Sequence, residues 1–422
     1  MFESQVAEAE RIVKDQNRWR LTETVNLIAS ENAMSRRARA LLGSDFAHRY
    51  AEGHPGERYY EGTQNIDRIE STAKDLMKRL FGCSQAEVRC LSGTNANESV
   101  FSSLVGFNDV VIVSSVPGGG HISHQRMGAM GKYTKNILFF PLADDGYHID
   151  VSKAKDLIRA ARPTVVVFGK SLFLFPDPVA ELKEVCAETK TRIVYDGAHV
   201  LGLIAGKKFQ DPLKEGAEIL LGSTHKTFFG SQRGVILSNV GPDDWKKIDK
   251  SVFPGSHSNH HLDTIPPLLV AVCEMLEFGE AYASQVCRNA KVLASALEKA
   301  GFSVEAKAFG YTESHQVAVN VRAIGGGAAV AKRLAQSGII LNNNLLPIDP
   351  KKALANPSGL RIGVQEMTRF GMKEPEMERI AGLMGDCVLR NRDLGDEVKK
   401  FRAGFTEVRY SFDGEEAGKA RS

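Results

Sequence analysis

Four short apolar runs, Val110–Val113, Asn136–Phe140, Thr164–Phe168 and Arg192–Tyr195, recur through the first half of the chain. Helical spans near Val151–Arg162 and Val179–Thr189 separate the last three. Runs this short and this rich in β-branched and aromatic residues read as strands buried on both faces, and the helices between them read as crossover connections. That rhythm confines the fold to the α/β class, a mostly parallel sheet covered by helices on both faces. Ile219–Leu221 and Val235–Leu237 extend the series, with a polar turn carrying Lys226 between them. Ligands of such sheets bind beyond the carboxyl ends of the strands. The residues to inspect are therefore Gly118-Gly119-Gly120-His121, Lys170-Ser171, Asp196-Gly197-Ala198-His199 and the Lys226 turn, closed by Gly230 and Gly234.

The flanking segments divide the chain further. Val6, Ala9 and Val13 fall three and four apart among charges, which predicts an amphipathic helix over residues 1–20 and a helical arm over 1–25. Such an arm packs on a partner subunit or caps its own domain. A large domain is expected over 26–280. Residues 47–62 hold three glycines, a proline and three tyrosines, and a loop with that many aromatics is shaped for binding. Helix follows from about Asn65 to Leu80, stopped by Gly82. Ser92-Gly93-Thr94-Asn95-Ala96-Asn97 then leads into Val100, Phe101 and Leu104, a helix start that presents free N–H groups to an anion. Capping alone would also explain that serine. Pro266 opens a long helix that Gly301 ends, and the boundary to a smaller C-terminal α+β domain, 281–422, is placed inside it. That domain is expected to hold strands at Val317–Val321, Ile339–Leu341 and Leu360–Gly363, a helix near 327–337 and a last helix from about Glu374, with a polar tail fraying from Asp413.

Composition narrows the function classes. Fifty-four basic against fifty-one acidic residues give a net charge of +3, too balanced for a nucleic-acid binder. No apolar stretch reaches the ~18 residues of a membrane helix, and residues 1–20 lack the apolar core of a signal peptide. The six cysteines show no CxxC pair and no metal-ligand spacing, which fits reduced thiols in a cytoplasmic enzyme. His257, His260 and His261 sit on an irregular segment with no zinc pattern, so no metal is expected.

A lone lysine in a turn is ordinarily solvated. Here it shares the strand-end edge with an aspartate, two histidines, small hydroxyls and a helix start. That set is what pyridoxal 5′-phosphate needs: a lysine Schiff base, an acid against the pyridine nitrogen and an anion site. Thirty residues separate Asp196 from Lys226, the length of one helix-containing crossover.

Eight stretches in order along the chain resemble the serine hydroxymethyltransferases of the fold-type I pyridoxal-phosphate enzymes, most closely the archaeal branch. They are Leu27–Asn32, Arg49–Tyr60, Ser92–Asn97, Gly119–His124, Asp196–Leu203, Ser223–Phe228, Ser258–Leu262 and Asn356–Thr368. The resemblance implies that Lys226 holds the cofactor, Asp196 keeps the ring nitrogen protonated and His121 stacks on the ring. It sets His199 and Ser171 by the phenolic oxygen, and the phosphate on Ser92, Gly93, Thr94 and Ser223. Arg361, with Ser30, would grip the substrate carboxylate. Glu52 would be the general acid/base with Tyr50 and Tyr60 beside it, supplied by the neighbouring subunit of a homodimer, and Asn344 would face the pterin. The implied reaction is retro-aldol interconversion of serine and glycine, with the one-carbon unit passing to tetrahydrofolate or tetrahydromethanopterin.

The chain also departs from the family pattern. Gly230-Ser231-Gln232-Arg233-Gly234 replaces a Gly-Pro-x-Gly-Gly run, Ser258-Asn259 stands where bacterial and animal members have two glycines, and Glu61 follows the tyrosine pair. For Arg233 the pattern gives no role, and contact with the phosphate, a pterin tail or an acid are the options. Tyr311–Val317 and Val364–Met372 also resemble threonine transaldolases, which makes a threonine aldolase or transaldolase the alternative. An aminotransferase would leave Glu52 without a role, and intact Lys226, Asp196 and Arg361 argue against a non-enzymatic binding protein.

Overall fold

The computed structural model describes residues 2–350 and 353–413. Of the expected frayed tail only Asp413 falls within that range, and its carboxylate accepts the backbone N–H groups of Arg36 and Arg37; the rest lies outside the described residues.

Seven strands form the main sheet: β1 (Gln85–Glu87), β2 (Val110–Val113), β3 (Asn136–Phe139), β4 (Val165–Phe168), β5 (Arg192–Asp196), β6 (Ile219–Ser223) and β7 (Gly234–Ser238). Their order across the sheet is β1-β7-β6-β5-β4-β2-β3. The five strands from β6 to β3 run parallel, and β7 is antiparallel to both of its neighbours. The expected mostly parallel sheet is present. β4, β6 and β7 are buried along their whole length, as their unbroken apolar sequence requires. β3 is the edge, and Leu138 and Phe139 are exposed on it. The crossover helices α4 (Val151–Ala161) and α5 (Val179–Thr189) end within a residue of the predicted positions.

The first helix, α1 (Glu3–Arg18), has no buried residue; Val6, Ala9 and Val13, its apolar stripe, face outward. It therefore does not cap its own domain. After it, α2 (Gln64–Phe81) stops at Gly82 in the left-handed conformation, and α3 (Gly93–Leu104) starts at the Ser92 cap. A single 36-residue helix, α6 (Ile265–Ala300), begins with prolines in its first turn and ends on left-handed Gly301. Beyond it, β8 (Ser303–Val304), β9 (Gln316–Asn320), β10 (Asn342–Asn344) and β11 (Gly359–Gly363) make an antiparallel sheet in the order β8-β9-β11-β10. Ile339–Ile340 forms no part of that sheet, against expectation. It pairs in parallel with Val25–Asn26 near the start of the chain, and the Gly363 N–H donates to the Leu27 carbonyl. The segment before Ser30 is thus tied to the C-terminal layer. Sequence periodicity cannot report such a pairing, because two-residue strands carry no alternation to read.

Candidate active site

The strand ends converge on a cavity of about 180 Å³ lined by Ser92, Gly93, Thr94, Asn97, His121, Lys170, Asp196, Ala198, His199, Ser223, His225 and Lys226. Eight of the residues predicted from sequence, Lys226, Asp196, His121, His199, Ser92, Gly93, Thr94 and Ser223, meet here. Asp196 ends β5 and Ser223 ends β6, so the parallel register of these neighbouring strands sets the acid one strand away from the Lys226 turn.

Lys226 is partly buried in the cavity wall, and its Nζ makes no hydrogen bond or ion pair with protein among the described residues. Burial, assisted by the positive charge of Arg361 and opposed by Asp196, brings its pKa down to about 8. Its main chain is fixed from behind, because Asn32 Nδ2 donates to the Lys226 carbonyl at 2.6 Å and to Tyr282 Oη at 2.9 Å. Asp196 is 6% exposed. Its Oδ2 accepts from Asn97 Nδ2 at 2.8 Å and His124 Nε2 at 2.9 Å, and its Oδ1 accepts the Ala198 N–H at 3.0 Å. Burial pushes this carboxyl upward, but the hydrogen bonds from His124 and Asn97, with the favourable electrostatics of the His124 side, outweigh it and hold the group well below the usual carboxylate range. An ionised acid therefore faces the cavity.

His121 is kept neutral by burial, with its pKa down to about 4, and its Nδ1 accepts the Ser123 N–H at 3.2 Å. The run before it turns through Gly119 at φ +90°, where a Cβ would lie 2.5 Å from the Leu172 carbonyl oxygen. That close approach lets the Gly119 carbonyl accept from the Ser171 N–H and sets the His121 loop against the end of β4. His199 is likewise driven well below its ordinary pKa by burial, and its Nδ1 pairs with Gln316 Nε2 at 2.9 Å. Gln316 also donates to the Ser171 carbonyl at 3.1 Å, so the C-terminal sheet closes one wall.

At the α3 start, Ser92 Oγ accepts the Asn95 N–H at 3.1 Å. The Gly93 and Thr94 N–H groups find no protein acceptor among the described residues and open on the cavity. A Cβ at Gly93 would sit 2.3 Å from Ser223 Oγ, so glycine here lets the helix start close on the end of β6 without turning that hydroxyl aside. Arg361, on β11, donates from Nη1 to the Ser171 carbonyl and Oγ (2.9 and 2.8 Å) and from Nε to Asn342 Oδ1 (3.2 Å). No carboxylate pairs with it among the described residues, and burial lowers its pKa to about 10. A buried guanidinium with only neutral partners is a receptor for a carboxylate.

Other predicted residues lie apart. Tyr50, Glu52 and Tyr60 line no part of this cavity. They form their own cluster on a hairpin, where Tyr60 Oη donates to Glu52 Oε2 at 3.2 Å and the tyrosine rings stand 5.4 Å apart. Ser30 lines a neighbouring cavity of about 380 Å³, whose wall His225 shares with the first. Asn344 is on β10, with Nδ2 donating to the Leu345 carbonyl. Arg233 serves none of the three suggested purposes. It is fully buried, and its guanidinium donates to the carbonyls of Val88, Arg89, His260 and His261 and to Thr264 Oγ1. Asn97, His124 and Gln316 had no assigned role in the sequence; all three lie in stretches that resemble known families, but nothing in their spacing predicts the contacts of Asn97 and His124 with Asp196 or of Gln316 with His199.

A partly buried lysine with no protein partner among the described residues, an ionised acid and open helix-start amides together fit pyridoxal phosphate, and with the seven-stranded sheet they define a fold-type I pyridoxal-phosphate enzyme. The family model described as serine hydroxymethyltransferase matches residues 2–384. The serine hydroxymethyltransferase of Archaeoglobus fulgidus is 48% identical over 400 residues, covering 94% of this chain and 91% of that protein. That of Methanothermobacter thermautotrophicus is 47% identical over 411 residues, covering 97% and 96%. The crystal structure of L-threonine transaldolase from Pseudomonas fluorescens superimposes with a TM-score of 0.88 at 28% identity, over 99% of this chain and 98% of that one. The chain belongs to the serine hydroxymethyltransferase family.

Proposed function

We propose that the protein interconverts serine and glycine and passes the one-carbon unit to a reduced pterin, tetrahydrofolate or tetrahydromethanopterin. The observation that carries this reading is the pairing of a partly buried Lys226, whose amine has no protein partner among the described residues, with ionised Asp196 across one cavity, within a chain of this family. Bound pyridoxal phosphate supplies the electron sink for cleavage at the amino acid Cα. Lys226 holds the cofactor covalently, and the burial that depresses its pKa keeps its amine available near neutral pH. Asp196, held ionised by His124 and Asn97, keeps a proton on the ring nitrogen. The Gly93 and Thr94 amides with Ser92 and Ser223 bind the phosphate, His121 stacks on the ring, and His199 and Ser171 lie by its phenolic oxygen. Arg361 takes the substrate carboxylate, with Ser30 helping. Glu52 moves the proton at the serine hydroxyl, with Tyr60 and Tyr50 orienting it.

The hairpin with Glu52 is exposed and outside the Lys226 cavity of its own chain, which supports a homodimer in which each subunit lends Glu52 to the other. Asn344 is assigned to the pterin, and the partition into arm, large domain and small domain at about residues 25 and 280 is kept as a working division. A cytoplasmic setting is supported by six free cysteines and by the absence, among the described residues, of any helix long and apolar enough to cross a membrane.

The transaldolase likeness favours a second reading, threonine cleavage with transfer to an aldehyde. Serine cleavage measured with each pterin in turn, and threonine cleavage with an aromatic aldehyde and no pterin, separates the two. Turnover of serine that depends on one pterin is expected; threonine turnover that needs only the aldehyde would move the function to the transaldolase.

A further inference from the structure

The hairpin that carries Glu52 leaves Glu52 half-exposed and Tyr59 and Tyr60 exposed, and it is fixed at its backbone. Arg58, with a buried side chain, donates from Nη1 to the carbonyls of Ala51 and Gly53 (2.7 and 2.8 Å) and reaches Asp67 and Glu70 on α2 at 2.8 and 2.7 Å. The stretch just before Glu52 is held by an amide instead. Asn259 Oδ1 accepts the Ala51 N–H at 3.1 Å, while its Nδ2 donates to the Arg49 carbonyl at 2.8 Å. One planar side chain thus pairs with residues 49–51 as an adjacent strand would. Asn259 has in turn a rigid base. The neighbouring His260 is buried, meets Glu70 Oε2 at 3.1 Å through Nε2, and gives its carbonyl to Arg233 at 2.8 Å. This gives Arg233 a consequence at a distance: its hold on the His260 and His261 carbonyls fixes the segment from which Asn259 reaches the hairpin.

We propose that Asn259 is a positioning residue for Glu52, setting the backbone from which the acid/base carboxylate is presented without touching that carboxylate. The inference rests on the acid/base reading of Glu52. Two chemical features make it specific to an amide. Glycine at this position would supply neither hydrogen bond. Aspartate would still accept the Ala51 N–H but would set a second acceptor against the Arg49 carbonyl, so one of the two bonds becomes a repulsion.

The test compares Asn259→Gly, Asn259→Asp, Glu52→Gln and the Glu52→Gln/Asn259→Gly double variant as cofactor-loaded enzymes. Serine cleavage is followed with both tetrahydrofolate and tetrahydromethanopterin, beside amide hydrogen exchange across residues 49–53. Asn259→Gly should lower kcat about tenfold, the scale of a small displacement of a reacting group, with KM for serine within about twofold. Exchange at 49–53 should quicken, and the cofactor absorbance should stay unchanged. Asn259→Asp should fall between glycine and the wild type. The double variant should be no slower than Glu52→Gln, since a misplaced group that cannot transfer a proton costs nothing further. If Glu52→Gln is slow but Asn259→Gly keeps the wild-type kcat, or if the two losses multiply, the positioning role is overturned while the Glu52 reading stands. If Glu52→Gln turns over at the wild-type rate, the acid/base reading falls and the proposal with it. Should the glycine variant fail to fold, the aspartate variant carries the same comparison.

Discussion

The Lys226 cavity and the Glu52 hairpin solve opposite problems. In the cavity the reactive groups are buried and their charge states are set by neighbours within the same chain: Asp196 by His124 and Asn97, Lys226 by desolvation. On the hairpin the side chains are open, with Tyr50 53% and Tyr60 43% exposed, and order resides in the backbone beneath, held by Arg58 and Asn259. A group that must be desolvated to react is best made inside one folded unit. A group that must meet substrate elsewhere is best carried on a surface element whose main chain cannot drift. Under the proposed function, the cavity supplies the groups that hold the cofactor, and the group that moves a proton at the substrate hydroxyl is carried on the hairpin outside it.

The largest test of that contrast removes the cavity's nucleophile. Lys226→Ala should abolish the covalently bound cofactor's absorbance band and lower serine cleavage by ~10⁴-fold or more, the scale on which removal of such groups acts. Wild-type protein that takes up no pyridoxal phosphate would break the cavity half of the comparison. Next comes the hairpin. Glu52→Gln should lower pterin-dependent serine cleavage by ~10²–10⁴-fold, the range for a general acid/base, with glycine binding retained in a spectroscopic titration. Full turnover would show that the open cluster is no part of the chemistry.

How far the sequence foretold each region follows from the range of the interactions. Six of the seven main-sheet strands were readable because their signals are local, as in Val165–Phe168, apolar throughout, and glycines such as Gly82 and Gly301 stop helices. The remaining strand, β1 (Gln85–Glu87), was not, because three residues with two polar side chains carry no strand signal. Lys226, Asp196 and the Ser92 helix start were readable because strand ends of an α/β sheet gather at one edge. What tunes them was not. Asn97 meets Asp196 across 99 residues and Gln316 meets His199 across 117, and no periodicity marks a hydrogen-bonded pair so distant. Arg233 misled for the same reason. The sequence left open contact with the phosphate, a pterin tail or an acid, whereas all three of its guanidinium nitrogens donate to oxygens within the fold, four of them main-chain carbonyls.

A milder change sharpens the cavity. Arg361→Lys keeps a cation but loses the planar fork that can take a carboxylate through two parallel bonds. Loss of such a bond to a charged group costs about 1.5–3 kcal/mol, so KM for serine should rise ~10–100-fold with a smaller change in kcat. An unchanged KM would detach the carboxylate from this residue. Smaller again is the dependence on pH. Uptake of pyridoxal phosphate by the cofactor-free protein needs the neutral amine, and burial brings the Lys226 pKa down from 10.5 to about 8. The uptake rate should therefore rise about tenfold per unit as pH climbs toward 8 and level off above it. A rise that continues to the ordinary lysine value would mean that the amine is solvated, and the burial argument for this side of the comparison would fail.

The least costly change for the fold itself is deletion of residues 1–18. Helix α1 buries none of its residues, so its loss should shift unfolding of the remaining chain by no more than ~0.5 kcal/mol, the usual scale for surface changes. Its exposed stripe of Val6, Ala9 and Val13 nevertheless repeats every three to four residues, which a helix left wholly in water has no need to keep. If that stripe packs on a second copy, sedimentation should show a weakened dimer at unchanged thermal stability of the monomeric unit. The cofactor band should persist, because the Lys226 cavity is self-contained, while serine cleavage should fall with dimer occupancy, because Glu52 is presented outward. A truncated protein that stays fully dimeric would assign the stripe elsewhere. One that loses its dimer yet cleaves serine at the full rate would show that Glu52 serves its own chain.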